Sequence, residues 1–83
     1  MNKMLKFEKT FGNEHLVIYK YICEGKEGNE YVGEIKFSLD EGNITSINKA
    51  DFDFGWYWGH LASRLRKMYA DGKFEDSGMI AWY

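Results

Sequence analysis

The sequence predicts an α+β fold: an antiparallel β-meander of three to four strands, followed by one C-terminal α-helix packed on a face of the sheet. A short final strand after the helix completes the order ββββα(β). Three observations carry this. Apolar and polar residues alternate with period 2 through the first half of the chain. After Asp53 the apolar period becomes that of a helix. Short Gly- and Asn-containing segments separate the runs, and no proline interrupts them.

The first strand is expected at about 3–11, where Leu5, Phe7 and Phe11 share one face and Lys6, Glu8 and Thr10 the other. The turn "GNE" leads to a second strand at about 15–23, "HLVIYKYIC", rich in the β-branched and aromatic residues that strands prefer. Leu16, Ile18 and Ile22 fall on one side of it, and Val17, Tyr19, Tyr21 and Cys23 on the other. Apolar residues on both sides suit a central strand. The charged loop "EGKEGNE" precedes a third strand at about 30–39, with Tyr31, Gly33, Ile35, Phe37 and Leu39 on one face. The turn "DEGN" and a fourth strand at about 44–48 follow, this last segment being the one that a three-stranded sheet would leave as loop. Phe54, Tyr57, Trp58, Leu61, Leu65 and Met68 then recur at helical spacing, predicting a helix over about 54–70. Asp53 suits its N-cap and Gly72 its C-terminal stop. A competing reading starts the helix near His60 and leaves "DFGWYWG" as an aromatic loop. "GMIAWY" supplies the final strand, at about 79–83.

These 83 residues make one domain, 1–83, at a length where a single core is only just sufficient. Aromatic residues make up 18% of the chain, and each removes roughly 150–250 Å² from water when buried, which compensates for the short length. The formal net charge of -2 argues against a general nucleic-acid binder. The acids concentrate in the middle: residues 24–53 hold eight acids against three lysines. The single cysteine, Cys23, excludes an internal disulfide and a cysteine-based zinc cluster. With no long apolar run and no signal-like start, the sequence reads as cytoplasmic.

No catalytic, cofactor-binding or metal-ligating constellation emerges. His60 and Cys23 stand without a motif around either, and Cys23 reads as a small buried or half-buried hydrophobe. "DFD" at 51–53 and "EDS" at 75–77 lack the spacing of a calcium loop. The expectation is therefore a non-enzymatic protein without cofactor.

Two surfaces stand out as partner-binding. Glu27, Glu30, Glu34, Asp40 and Glu41 flank or lie on the third strand and would form an acidic surface if they converge, though acids also serve solubility alone. Trp56 falls with His60, Ser63 and Lys67 opposite the apolar stripe of the helix, making Trp56 and His60 a second patch. Folding of Trp56 back beneath a loop or the C-terminal "AWY" is the structural alternative. A nucleic-acid-binding module is the rival function, stacking bases on Tyr19 and Tyr21 exposed on a sheet face with lysines nearby. A homodimer through the helix or an open sheet edge is compatible with either.

In size, acidity, lone cysteine and aromatic density the chain resembles bacterial toxin-immunity proteins and small phage-encoded inhibitors of host defence, of the anti-CRISPR kind. The resemblance implies stoichiometric binding that blocks a partner, here a basic or nucleic-acid-handling protein.

Overall fold

The computed structural model describes residues 3–82. One five-stranded antiparallel sheet is formed by β1 (Lys3–Gly12), β2 (Leu16–Cys23), β3 (Val32–Ser38), β4 (Asn43–Asn48) and β5 (Ser77–Trp82), in the order β4-β3-β2-β1-β5. Among the described residues one α-helix, α1 (Trp56–Asp71), connects β4 to β5 and lies across β1 to β4. The fourth strand and the final strand are both present. The last strand returns to pair with β1 and forms the second edge of the sheet. No helix among the described residues is long and apolar enough to cross a membrane.

Alternation decides which face the helix covers. Leu5 and Phe7 of β1, Val17, Tyr19, Tyr21 and Cys23 of β2, and Ile35 and Phe37 of β3 are buried beneath Tyr57, Leu61, Leu65 and Met68 of α1. The opposite, outer face carries Lys6 and Glu8, Lys20 and Ile22, and Glu34 and Lys36 in register. Tyr19 and Tyr21 are fully buried, so these two rings do not offer the base-stacking surface that the rival reading required. The helix chose the face that carries them because its alternate residues are the larger apolar set.

Two β-bulges correct the simple alternation. Thr10 has no partner between Lys9↔Tyr19 and Phe11↔Ile18. That one extra residue moves Phe11 to the outer face, where it is 47% exposed instead of joining Leu5 and Phe7. A second shift, between Lys36↔Ser46 and Phe37↔Ile44, brings Ile44 and Ile47, three apart, opposite Phe37 and Ile35 on the inner face.

The helix starts two residues later than its apolar spacing suggests. Gly55 adopts a left-handed conformation (φ 112), and Phe54 before it is outside the helix and 92% exposed. Phe54 therefore does not belong to the core stripe. The C-terminus closes as expected: Gly72 is left-handed (φ 75), and Lys73 N–H donates to Met68 C=O at 3.1 Å.

Gly33 lies directly opposite Tyr21 on the inner face, and a Cβ there would run into the Tyr21 ring. Gly33→Ala should destabilise the fold by about 1–3 kcal/mol through overpacking. Gly59, the fourth residue of α1, has open space around the same position, so Gly59→Ala should stabilise by about 0.5–1 kcal/mol. Urea denaturation of the two variants should move the midpoint in opposite directions.

Candidate functional site

The side chain that shapes this region is Asp53, fully buried. Its Oδ1 accepts from the backbone N–H of Gly55 at 2.7 Å and of Tyr57 at 3.1 Å. Its Oδ2 accepts from Trp58 N–H at 2.9 Å and from the Tyr21 hydroxyl at 2.7 Å. Asp53 thus does the capping chemistry expected of it, but from two residues before the cap position, which Gly55 occupies. The Tyr21 hydroxyl in turn accepts from Ala50 N–H at 3.1 Å, so one phenol ties β2 to both ends of the β4–α1 connection. Burial, opposed by the Ala50 contact and reinforced by Asp53, pushes the Tyr21 phenol above its ordinary value.

Neighbouring groups complete the knot. Tyr57 donates its hydroxyl proton to Glu24, whose backbone takes a left-handed turn (φ 57) at the end of β2. Burial first, and this contact second, raise the Tyr57 phenol too. Cys23 is buried beside them, and desolvation, with Asp53 and Glu24 nearby, pushes its thiol up to about 12. A protonated, enclosed thiol is a packing group, as the sequence suggested.

Outside the knot runs a line of rings at one end of the sheet. Tyr31 and Phe52 lie 4.9 Å apart, Phe52 and Tyr57 5.9 Å, Tyr57 and Trp82 5.3 Å, and Trp82 and His60 stack at 3.9 Å. The Phe52 N–H donates to Glu30 C=O at 2.8 Å, joining the β2–β3 and β4–α1 connections, and Lys26 lies over the Tyr31 and Phe52 rings. Phe54 and Trp56 project beyond this line, 92% and 65% exposed. Trp56 walls two shallow hollows: one of about 120 Å³ with Lys3, Phe52, Phe54 and Tyr57, and one of about 320 Å³ with Lys3, His60 and Trp82. It is His60, and not Trp56, that packs against the closing strand.

The five acids do not form one patch. Glu27 and Glu30 belong to the β2–β3 connection, at the same end as the rings. Asp40 and Glu41 belong to the β3–β4 turn at the other end of β3, roughly 20 Å away for a seven-residue strand. There Asp40 is engaged by His15 Nδ1 at 3.0 Å. Glu34 lies between the two ends on the outer face, opposite Lys20. Of the residues singled out from the sequence, Trp56, His60, Glu27 and Glu30 share one end of the molecule. Sequence reasoning missed Phe54, Trp82 and Lys3. The signal for Phe54 was Gly55, which stands two residues after Asp53 and supplies the positive φ that a late helix start requires.

Among the described residues, no group of three or more His, Cys, Asp or Glu side chains is placed to hold a metal ion. Comparison of the chain with protein-family models, curated proteins and solved structures gives no match.

Removing the cap should be costly. Asp53→Ala withdraws three backbone acceptor contacts and leaves the buried Tyr21 hydroxyl short of one, so a loss of about 3 kcal/mol or more is expected in urea denaturation. Alkaline pH should destabilise the protein as well. Tyrosines in the unfolded chain ionise near 10, whereas burial, helped by Glu75 and Asp76, holds Tyr19 protonated to about 12. The Tyr19 contribution is therefore whole below about pH 10 and is lost as pH rises towards 12. Thermal melts across that window should show a falling Tm, with a shallower fall in Tyr19→Phe.

Proposed function

We propose that this chain is a non-enzymatic binding protein that docks another protein against its aromatic end and acts by covering a functional surface of that partner. The observation that carries the reading is the near-complete exposure of Phe54 together with that of Trp56. Both are held on rigid backbone: Gly55 N–H is bound to Asp53, and Trp56 opens the helix that Asp53 caps. Large aromatic side chains presented on a fixed scaffold, with little ordering left to complete, are the residue type and setting of interface hot spots. Glu27 and Glu30 at the same end supply a polar acidic rim suited to steering a basic partner. A basic or nucleic-acid-handling partner is accordingly our reading, and an inhibitor of the toxin-immunity or phage anti-defence kind is the role it implies. Trp56, His60, Glu27 and Glu30 are the residues we assign to it, with Phe54 added; Asp40 and Glu41 lie at the far end and Glu34 on the outer face, outside this contact.

The test is comparative. Tagged wild-type chain and a Phe54→Ala/Trp56→Ala variant, both folded by circular dichroism, are recovered from their host and the bound protein quantified. A partner recovered at equal stoichiometry with wild type should fall at least about tenfold with the double variant, a loss of ~1.4 kcal/mol or more. Glu27→Lys/Glu30→Lys should slow its association and weaken the salt dependence, while Asp40→Lys/Glu41→Lys should leave both unchanged. Equal recovery by wild type and the aromatic double variant would sink this reading.

A further inference from the structure

Among the described residues the sheet is open at both edges, and the two edges differ. On β4 the ladder is broken by the shift between Lys36 and Phe37, which leaves Thr45 unpaired and blunts the edge. On β5 the ladder with β1 is unbroken from Lys3↔Trp82 to Glu8↔Ser77. The strand reads "SGMIAW", without a charge or a proline. Natural edge strands usually carry one of those guards. Met79, near its centre, is 56% exposed.

The direction of the β5 backbone groups follows from two hydrogen bonds. Lys9 N–H donates to Asp76 C=O at 2.8 Å, so Lys9 and Asp76 face one another as a hydrogen-bonded pair. Glu24 N–H donates to Met4 C=O at 2.8 Å, so the even residues of β1 bond to β2 and the odd ones to β5. Hydrogen-bonded and non-bonded pairs alternate along an antiparallel ladder. Gly78, Ile80 and Trp82 therefore turn their N–H and C=O groups to β1, while Ser77, Met79 and Ala81 turn theirs outward.

We propose that β5 pairs antiparallel with β5 of a second copy, about a two-fold axis through Met79, continuing the sheet to ten strands. Met79 then meets Met79, and Ser77 meets Ala81 in both directions, so the three outward residues of each strand form about six hydrogen bonds. On the inner face Ile80 stands opposite Gly78 of the copy, where the Phe7 ring of that chain fills the place of a Cβ and offers an apolar contact. On the outer face the two methionines lie side by side. A strand without charge sets no like charges against each other when paired with itself, and Asp76 falls opposite Trp82 rather than another acid. The isologous contact also closes: it consumes the unguarded edge of both chains and leaves the two bulged β4 edges outermost, which favours a dimer over a fibre. Phe54 and Trp56 lie outside this edge; the two surfaces adjoin at Trp82, which walls a hollow with Trp56 and His60.

Met79→Pro removes an outward N–H and leaves every β1–β5 hydrogen bond in place, and Met79→Lys puts a charge on the edge. Sedimentation equilibrium should find wild type at twice its 9.8 kDa, with dissociation at least about tenfold easier in both variants and helix content unchanged. Amide exchange gives the second readout. The Met79 and Ala81 amides should be protected in wild type and exchange at least about tenfold faster in Met79→Lys, while the Ile80 amide, bonded to β1, should not change. A wild-type monomer at every concentration overturns the proposal and leaves this edge to a strand from another protein. A dimer that survives both substitutions, or a Met79 amide as fast in wild type as in the variant, overturns it equally.

Discussion

The hydrogen bond from Tyr21 to Asp53 is the constraint on which the rest of this structure depends. A fully buried carboxylate is tolerable only when its lone pairs are satisfied, and here a phenol and three backbone N–H groups do so. Among the described residues no buried side-chain nitrogen or oxygen is left without a partner. The geometry works because Gly33, opposite Tyr21 on β3, has no side chain to occupy the path of the ring. From that contact follow the position of the helix N-terminus over β2, the left-handed turn at Gly55, and the outward projection of Phe54 and Trp56. The aromatic end is thus a consequence of the buried acid that directly precedes Phe54 in the chain.

A second phenol acts at the opposite end of the core. The Tyr19 hydroxyl donates to Glu75 C=O and lies against the Met68 sulfur, tethering the segment that leads from α1 into β5. Alternate residues of one central strand therefore fasten both ends of the helix to the sheet. This explains why β2 carries tyrosines on the face where aliphatic residues would have packed as well. They supply apolar area and a polar handle at once.

One helix cannot cover five strands. It lies over β1 to β4, and β5 is attached through β1 pairing and through Trp82, which meets Tyr57 and His60. The chain therefore leaves three things uncovered: a charged outer face with apolar interruptions, an unguarded strand edge, and two projecting aromatics. The acidic residues crowded into the middle of the sequence are divided by β3 between the two ends of the molecule.

The sequence by itself determined the architecture. Period-2 alternation, turn segments and the change to helical spacing are local consequences of backbone geometry, so the strands, the helix and the buried set of Leu5, Phe7, Ile35, Phe37, Tyr57, Leu61, Leu65 and Met68 were all legible. Asp53 and Gly72 were recognisable as helix-end residues for the same reason. Tertiary structure alone decided which face of β2 the helix would cover, because both faces are apolar and only the competition between them buries Tyr19 and Tyr21. It also decided the parity of Phe11, which one unpaired residue reverses, and the exposure of Phe54, which depends on Asp53 finding Tyr21 thirty-two residues away. Whether the acids met was likewise a question of strand length and direction. Such features come from long-range pairing, and no local period in a sequence records them.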